Sequence, residues 1–197
     1  MDVVIFDCFG VLFTEGWFIG KVLAGRMAGR IDRDALRARY RRLAVGEIDR
    51  AAFWAGLVED WPAYERDFIG ELRPDPQAIP LLEQLTGRYT LALCSEGVAE
   101  WYEQLWQTYG LQRYFDVLAL SSDLGVTKPV PEFFEATERL LPAAGRRAYV
   151  DDKLENLRAA AALGWHTIWL DRIGPDIDFA PDATVTELRQ VPDVLPW

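Results

Sequence analysis

Val3-Val4-Ile5-Phe6-Asp7 sets the architecture: four apolar residues, three of them β-branched, run with no polar alternate and stop on a carboxylate. A strand without a polar face is expected where helices cover both sides of a parallel sheet. Working outward, similar short apolar runs recur at Tyr89 to Cys94, Val117 to Leu120, Ala148 to Val150 and His166 to Leu170, with Thr184-Val185 as a candidate edge strand. Between them, Val98, Trp101, Tyr102, Leu105, Trp106 and Tyr109 fall three or four residues apart or side by side, drawing one apolar stripe down a helix. Phe133, Ala136, Thr137, Leu140 and Leu141 repeat that stripe. Strand and helix alternate, which predicts an α/β fold built on a Rossmann-like, doubly wound parallel sheet.

The alternation breaks between Thr14 and Asp75. Helical spacing continues through Leu36, Tyr40 and Leu43 and through Phe53, Trp54, Leu57 and Val58, with no second strand. The expected organisation is a catalytic core of residues 1–13 and 76–197, interrupted by a small helical cap, 14–75, inserted after the first strand. Asp49 is placed to cap the helix entering Phe53-Trp54, and Pro74 and Pro76 bracket the return. A chain of 197 residues fits one such core with an insertion. Its 50% hydrophobic and 26% charged content excludes disorder as the global state. A formal net charge of −10 argues against nucleic acid as a partner, because a polyphosphate would meet repulsion over most of the surface. The short apolar run at Val3 lacks the basic flank and length of a secretory signal, and no stretch could span a membrane. With only Cys8 and Cys94, no disulfide scaffold is expected, so a reduced, cytoplasmic protein is the simplest reading.

In open α/β sheets, ligands bind beyond the carboxyl ends of the strands. The polar residues there are Asp7, Ser95, Lys128 shortly after the third strand, and Asp151-Asp152. Three crowded carboxylates and one ammonium leave a surplus of negative charge, which calls for a divalent cation. Oxygen ligands favour Mg²⁺, which retains positions for water and substrate oxygens. A nucleophilic carboxylate, a cation, and hydroxyl and ammonium donors together suit phosphoryl transfer through an aspartyl-phosphate.

Asp7-Cys8-Phe9-Gly10-Val11-Leu12, Ser95, Lys128-Pro129-Val130-Pro131-Glu132-Phe133-Phe134 and Val150-Asp151-Asp152-Lys153-Leu154-Glu155-Asn156, followed by Ala159-Ala160 and Gly164, resemble the four ordered motifs of haloacid dehalogenase-like hydrolases. The helical stretch, with Gly46-Glu47-Ile48-Asp49 leading to Phe53-Trp54, is similar to the small helical cap of that family. The resemblance implies a Mg²⁺-dependent hydrolase of small phosphorylated metabolites. It makes Asp7 the nucleophile, Ser95 the phosphoryl-binding hydroxyl and Lys128 the ammonium bridging the two. It also makes Asp7, the Phe9 carbonyl and Asp152 metal ligands, with Asp151 holding the metal's waters or its neighbours and Asn156 securing the loop. Glu96 joins Ser95 and Lys128 as a candidate substrate-binding residue. The departure is Phe9, where phosphatases of the family usually carry a second Asp that protonates the leaving oxygen and later activates water. Phe cannot do this, and general acid–base help is worth roughly 10²- to 10⁴-fold. Glu96, Glu15 or a cap residue is a candidate substitute. An aromatic residue here also resembles the 2-haloacid dehalogenases, which work without metal, but those lack the acidic pair and usually have Asn after the Ser, whereas this chain has Glu96. A third reading is a catalytically retired member that binds a phosphorylated ligand or a protein.

Each residue also has a plainer reading. Asp7 and the Asp151-Asp152 pair suit loop or helix caps, Lys128 a solvated loop and Ser95 a local turn. His166, the sole histidine, begins a core strand and is read as structural. Cys8 and Cys94 are read as small buried hydrophobes. Trp17, Phe18, Phe53, Trp54, Trp61 and Phe68 could line a pocket, but core packing or a homodimer contact is the preferred account. Arg37, Arg39, Arg41 and Arg42 form a basic helix face, read as solvated surface, with a docking site for an anionic substrate tail as the sharper alternative.

Overall fold

The computed structural model describes residues 1–14, 18–172, 174–175 and 177–197, without the side chains of Phe18 and Lys21. Glu15, Trp17 and the Phe18 side chain, singled out above, therefore lie outside the described residues. The chain opens with β1 (Val3–Phe6) and then runs through a π-helical segment (Phe18–Leu23) that continues as α1 (Ala24–Arg26). Next come α2 (Arg33–Ala44), α3 (Arg50–Trp54), α4 (Trp61–Gly70), α5 (Ala78–Leu85) and β2 (Thr90–Ser95). The second half contains α6 (Ala99–Tyr109), β3 (Val117–Leu120), α7 (Ser121–Leu124), α8 (Pro131–Leu140), β4 (Arg147–Asp151), α9 (Leu154–Ala161), β5 (His166–Leu170) and β6 (Ala183–Val185).

The strands form one sheet in the order β3-β2-β1-β4-β5-β6, and every pairing is parallel. The chain winds outward from β1 through β2 to β3, then crosses back to lay β4 on the other side of β1. That reversal opens a crevice at the carboxyl end of the sheet. Register fixes what reaches it: Phe6 lies opposite both Leu93 and Val150, so Asp7 emerges level with Cys94 and Asp151.

Alternation along β1 divides the core into two layers. Val4 and Phe6 pack with Leu82, Trp101 and Leu105 on one face, while Val3 and Ile5 pack with Phe133, Phe134 and Leu157 on the other. Both faces are buried, which explains why the strands carry no polar alternate. The stripe expected on α6 buries Trp101, Tyr102, Leu105 and Trp106. The stripe on α8 needs one correction. It is centred on Phe133, Phe134 and Thr137, and Leu141 is buried just past the helix end, whereas Leu140 is 47% exposed. Leu140 lies at the margin of that stripe, in the last turn.

Between β1 and β2 the elements among the described residues are helices, but α3 ends at Trp54, so Leu57 and Val58, expected to continue its apolar spacing, lie beyond the helix after Ala55 turns to an extended backbone. Phe13 forms an isolated bridge with Pro74, and Asp75 N donates to Leu12 O at 2.8 Å, so this segment leaves and rejoins the sheet side by side. Asp49 caps α3, accepting from Ala52 N at 2.7 Å. Phe53, Trp54 and Phe68 are fully buried, with Phe53 and Phe68 edge-on to Trp101 of α6 at 6.2 and 6.3 Å. These aromatics are packing residues. Both cysteines are free and buried. His166 enters β5 at the opposite end of the sheet from Asp7, its Nε2 3.1 Å from Val194 O. Among the described residues, no helix is long and apolar enough to cross a membrane.

Candidate active site

Sheet register and the loops beyond it bring the sequence candidates together. Asp7 ends its strand almost buried, and its Oδ1 accepts from Ser95 Oγ at 3.1 Å and from Lys128 Nζ at 2.7 Å. Lys128 arrives from the loop before α8 and is buried despite its charge. Its ammonium also reaches Asp151 Oδ2 at 3.0 Å, Tyr149 OH at 3.1 Å and Cys94 O at 3.2 Å. Burial opposes that charge, yet the Asp151 and Asp7 carboxylates outweigh it and hold Lys128 well above the usual lysine range. A buried lysine with this set of partners stays cationic.

Asp7, Asp151 and Asp152 each offer a carboxylate oxygen within 4.8 Å of the others. Their surroundings differ. Asp151 is fully buried and committed to protein donors: Oδ1 accepts from Lys153 N at 2.8 Å and Asn156 Nδ2 at 3.1 Å, while Oδ2 accepts from Lys128, Asn156 and the Tyr149 hydroxyl. Asp151 is thus tied to Lys128, Tyr149, Lys153 and Asn156. Asp152 is the opposite case. Its Oδ1 is buried without a hydrogen-bond partner, and burial, then the Asp151 and Asp7 charges, raise its carboxyl to about 7. An unpaired buried carboxylate oxygen is costly, and it needs a proton or a cation. Gly10 makes room for this: at φ +99, a Cβ there would collide with the Asp152 carboxylate. The donor set therefore fits a small hard cation.

A cavity of about 260 Å³ opens from this cluster, lined by Asp7, Phe9, Ser95, Glu96, Thr127 and Lys153 on one side and by Ile19, Gly20 and residues of α2 on the other. Phe9 contributes an aromatic wall, its ring 5.9 Å from Phe13 and 5.8 Å from Tyr102. Glu96 is in the cavity wall, hydrogen-bonded to the Thr127 hydroxyl and 3.8 Å from Lys153 Nζ.

Tyr102 and Tyr149 escaped the sequence reading. The Tyr102 hydroxyl lies 2.8 Å from Ser95 Oγ and 2.7 Å from Glu96 O. Burial raises both phenols far above their usual range, keeping them protonated and available as donors. Tyr102 sits on an otherwise apolar stripe, which masked its polar tip. Tyr149 carried a signal: two residues before Asp151 in a strand, it shares that side chain's face.

The sequence profile of haloacid dehalogenase-like hydrolases matches residues 1–164, and the chain belongs to that family. It is 30% identical to a sesquiterpene phosphatase of Aspergillus oryzae, covering 95% of this chain and 94% of that protein. A phosphoserine phosphatase of Thermus thermophilus is 28% identical, over 83% of this chain and 76% of its own. Among solved structures, a HAD phosphatase from Thermococcus onnurineus superposes with a TM-score of 0.70 at 27% identity, covering 100% of this chain and 98% of that one. An L-2-haloacid dehalogenase from Xanthobacter autotrophicus superposes at 0.73 with 18% identity over 98% of each chain, a likeness of fold.

Proposed function

We propose that this hydrolase releases phosphate from small phosphorylated metabolites, with Asp7 as nucleophile, Mg²⁺ as cofactor and residues 14–75 acting as a helical cap over the site. The observation that carries the reading is the buried, partnerless Oδ1 of Asp152 beside Asp7. Asp7, the Phe9 carbonyl and Asp152 would hold the cation, which when bound supplies positive charge to the oxygens of the transferring group. Asp151 orients Lys128 and the loop. Asp7 attacks phosphorus, the bond to the leaving oxygen breaks, and the phosphoryl group passes to the carboxylate. Ser95 and Lys128 donate to its oxygens as charge builds on them. A second attack, by water, frees phosphate and restores Asp7.

Phe9 shapes this cycle. Its ring stands where the resemblance places the acid–base Asp, so leaving groups that depart without a proton are favoured, and hydrolysis of the acyl-phosphate is slow. Glu96, in the cavity wall, is the candidate proton donor.

Phosphate release from aryl and sugar phosphates with Mg²⁺ tests the reading; Asp7→Asn should abolish it, and no release from any member of such a panel counts against it. Phe9 also fits the dehalogenase chemistry of related proteins. That reading predicts halide release from 2-haloacids that a chelator leaves untouched, and ion chromatography separates the two.

A further inference from the structure

We propose that Tyr102 is a positioning residue for phosphoryl transfer: its hydroxyl holds Ser95 Oγ in place and donates to it when Ser95 turns its own proton from Asp7 to an oxygen of the phosphoryl group. The inference rests on the phosphoryl-transfer reading and deepens it, because it makes Ser95 and Tyr102 one donor built from two hydroxyls.

The geometry is a chain of three links. Ser95 Oγ stands 3.1 Å from Asp7 Oδ1 and 2.8 Å from the Tyr102 hydroxyl, which in turn stands 2.7 Å from Glu96 O. Both ends of the chain only accept: one is a carboxylate oxygen that also takes the Lys128 ammonium, the other a backbone carbonyl. Two hydroxyl protons therefore serve three links. With Ser95 donating to Asp7, the Tyr102 proton is shared between Ser95 Oγ and Glu96 O. When a phosphoryl oxygen draws the Ser95 proton away from Asp7, donation from Tyr102 into Ser95 Oγ strengthens Ser95 as a donor, because linked hydrogen bonds polarise one another.

Ser95 needs such a partner. A serine hydroxyl rotates freely and takes whichever acceptor is nearest. At the end of β2 that acceptor is the nucleophile itself, a bond that must break before Ser95 can serve the phosphoryl group. Tyr102 gives Oγ a second partner, so Oγ keeps its place when the bond to Asp7 is lost. The gain falls where charge builds on the phosphoryl oxygens, in the transition state.

Packing fixes both partners. Ser95 and Tyr102 are buried, and the Tyr102 ring is seated between aromatic neighbours, 5.8 Å from Phe9 and 5.7 Å from Trp106. The loop after Ser95 makes room for it: Gly97 sits at φ +150, and a Cβ there would meet the Tyr102 ring and hydroxyl at 2.9 Å. Gly97 N donates to Ser121 Oγ at 2.9 Å, which holds the backbone two residues past Ser95. Ring and loop are thus anchored separately, and the Tyr102 hydroxyl bridges them at the phosphoryl-binding residue.

A double-mutant cycle on the full chain tests this, with Tyr102→Phe, which keeps the ring, Ser95→Ala, and the two together, each assayed on p-nitrophenyl phosphate with Mg²⁺. The quantity to read is kcat/KM, which reports transfer to Asp7 and is blind to slow hydrolysis of the acyl-phosphate. Tyr102→Phe should lower it by about 10-fold where Ser95 is present and by less than about twofold where Ser95 is already Ala. Equal losses in both backgrounds are what a packing defect gives, and they overturn the assignment, as does no loss in the presence of Ser95. Calorimetric titration of orthovanadate, a mimic of trigonal-bipyramidal phosphorus, into the same four proteins should show the same coupling without turnover. Coupling in vanadate affinity with no nitrophenolate released by the wild type overturns the phosphatase reading and leaves the Ser95–Tyr102 unit standing. Absence of both overturns the two together.

Discussion

Gly10 and Asp152 show how much of this site depends on one missing side chain. The positive φ of Gly10 removes the penalty that an L-residue would incur, and its bare Cα lets the Asp152 carboxylate stand next to Asp7. Mg²⁺ is expected to stabilise the wild-type protein, and Gly10→Ala to displace Asp152 and abolish that stabilisation. At a hundredfold excess over Kd that stabilisation is about 2.7 kcal/mol, or about 5 to 10 °C in Tm. Differential scanning calorimetry with Mg²⁺ and with chelator checks this; an unchanged Mg²⁺ response in the variant would show that Asp152 does not share the cation. At this scale the sequence was legible wherever a polar residue ended an apolar strand, because parallel register sends all such residues to one rim. Asp7, Ser95 and Asp151 were found in this way. Tyr102 was not, because helical spacing reports which face a ring is buried on and says nothing of where its hydroxyl lands.

Among the elements, the helical segment owes its internal bracing to a charge that patterning alone would place on the surface. Glu65, in the middle of α4, is 3% exposed and accepts from Trp54 Nε1 at 2.7 Å and from Arg50 Nη1 at 2.6 Å. Glu65→Ala would leave the fully buried Trp54 indole unsatisfied and Arg50 with Glu100 alone as its carboxylate partner, a loss of about 3 kcal/mol. Urea unfolding should show this as a lower midpoint at unchanged slope; a loss below about 1 kcal/mol would mean that water replaces the carboxylate. In this segment α2 was readable from its apolar spacing and the start of α3 from Asp49, whereas α4 was not read. The fit of these helices against α6 was not legible, because Phe53, Phe68 and Trp101 meet only after the chain has passed through α4, α5 and β2.

Across the whole molecule, one continuous apolar cluster joins the helical segment to the sheet, and its partner on the far face closes over Cys94. Burial lifts the Cys94 thiol to about 12 and the Cys8 thiol well above its usual range. Because a raised thiol pKa suppresses the nucleophilic thiolate, iodoacetamide at pH 8 should modify neither residue in the native state and both after unfolding. Fast native-state alkylation at pH 8, followed by mass spectrometry, would contradict the burial of both residues. A doubly wound parallel sheet was within reach of the sequence, since fully apolar strands demand cover on both faces, whereas the strand order β3-β2-β1-β4-β5-β6 was not. That Arg37 and Arg41 line a cavity was not legible there, because a solvated helix face and a cavity wall can carry the same residues.

The most direct test of the chemistry is a single-turnover acid quench. Because Phe9 offers no carboxylate to activate water, the phosphoryl group should accumulate on Asp7 when the protein meets an aryl phosphate and Mg²⁺. Peptide mapping by mass spectrometry should find it there, and chelator should prevent it. Phosphate release with no phosphoryl group ever trapped on Asp7, or trapping on another residue, would contradict the account.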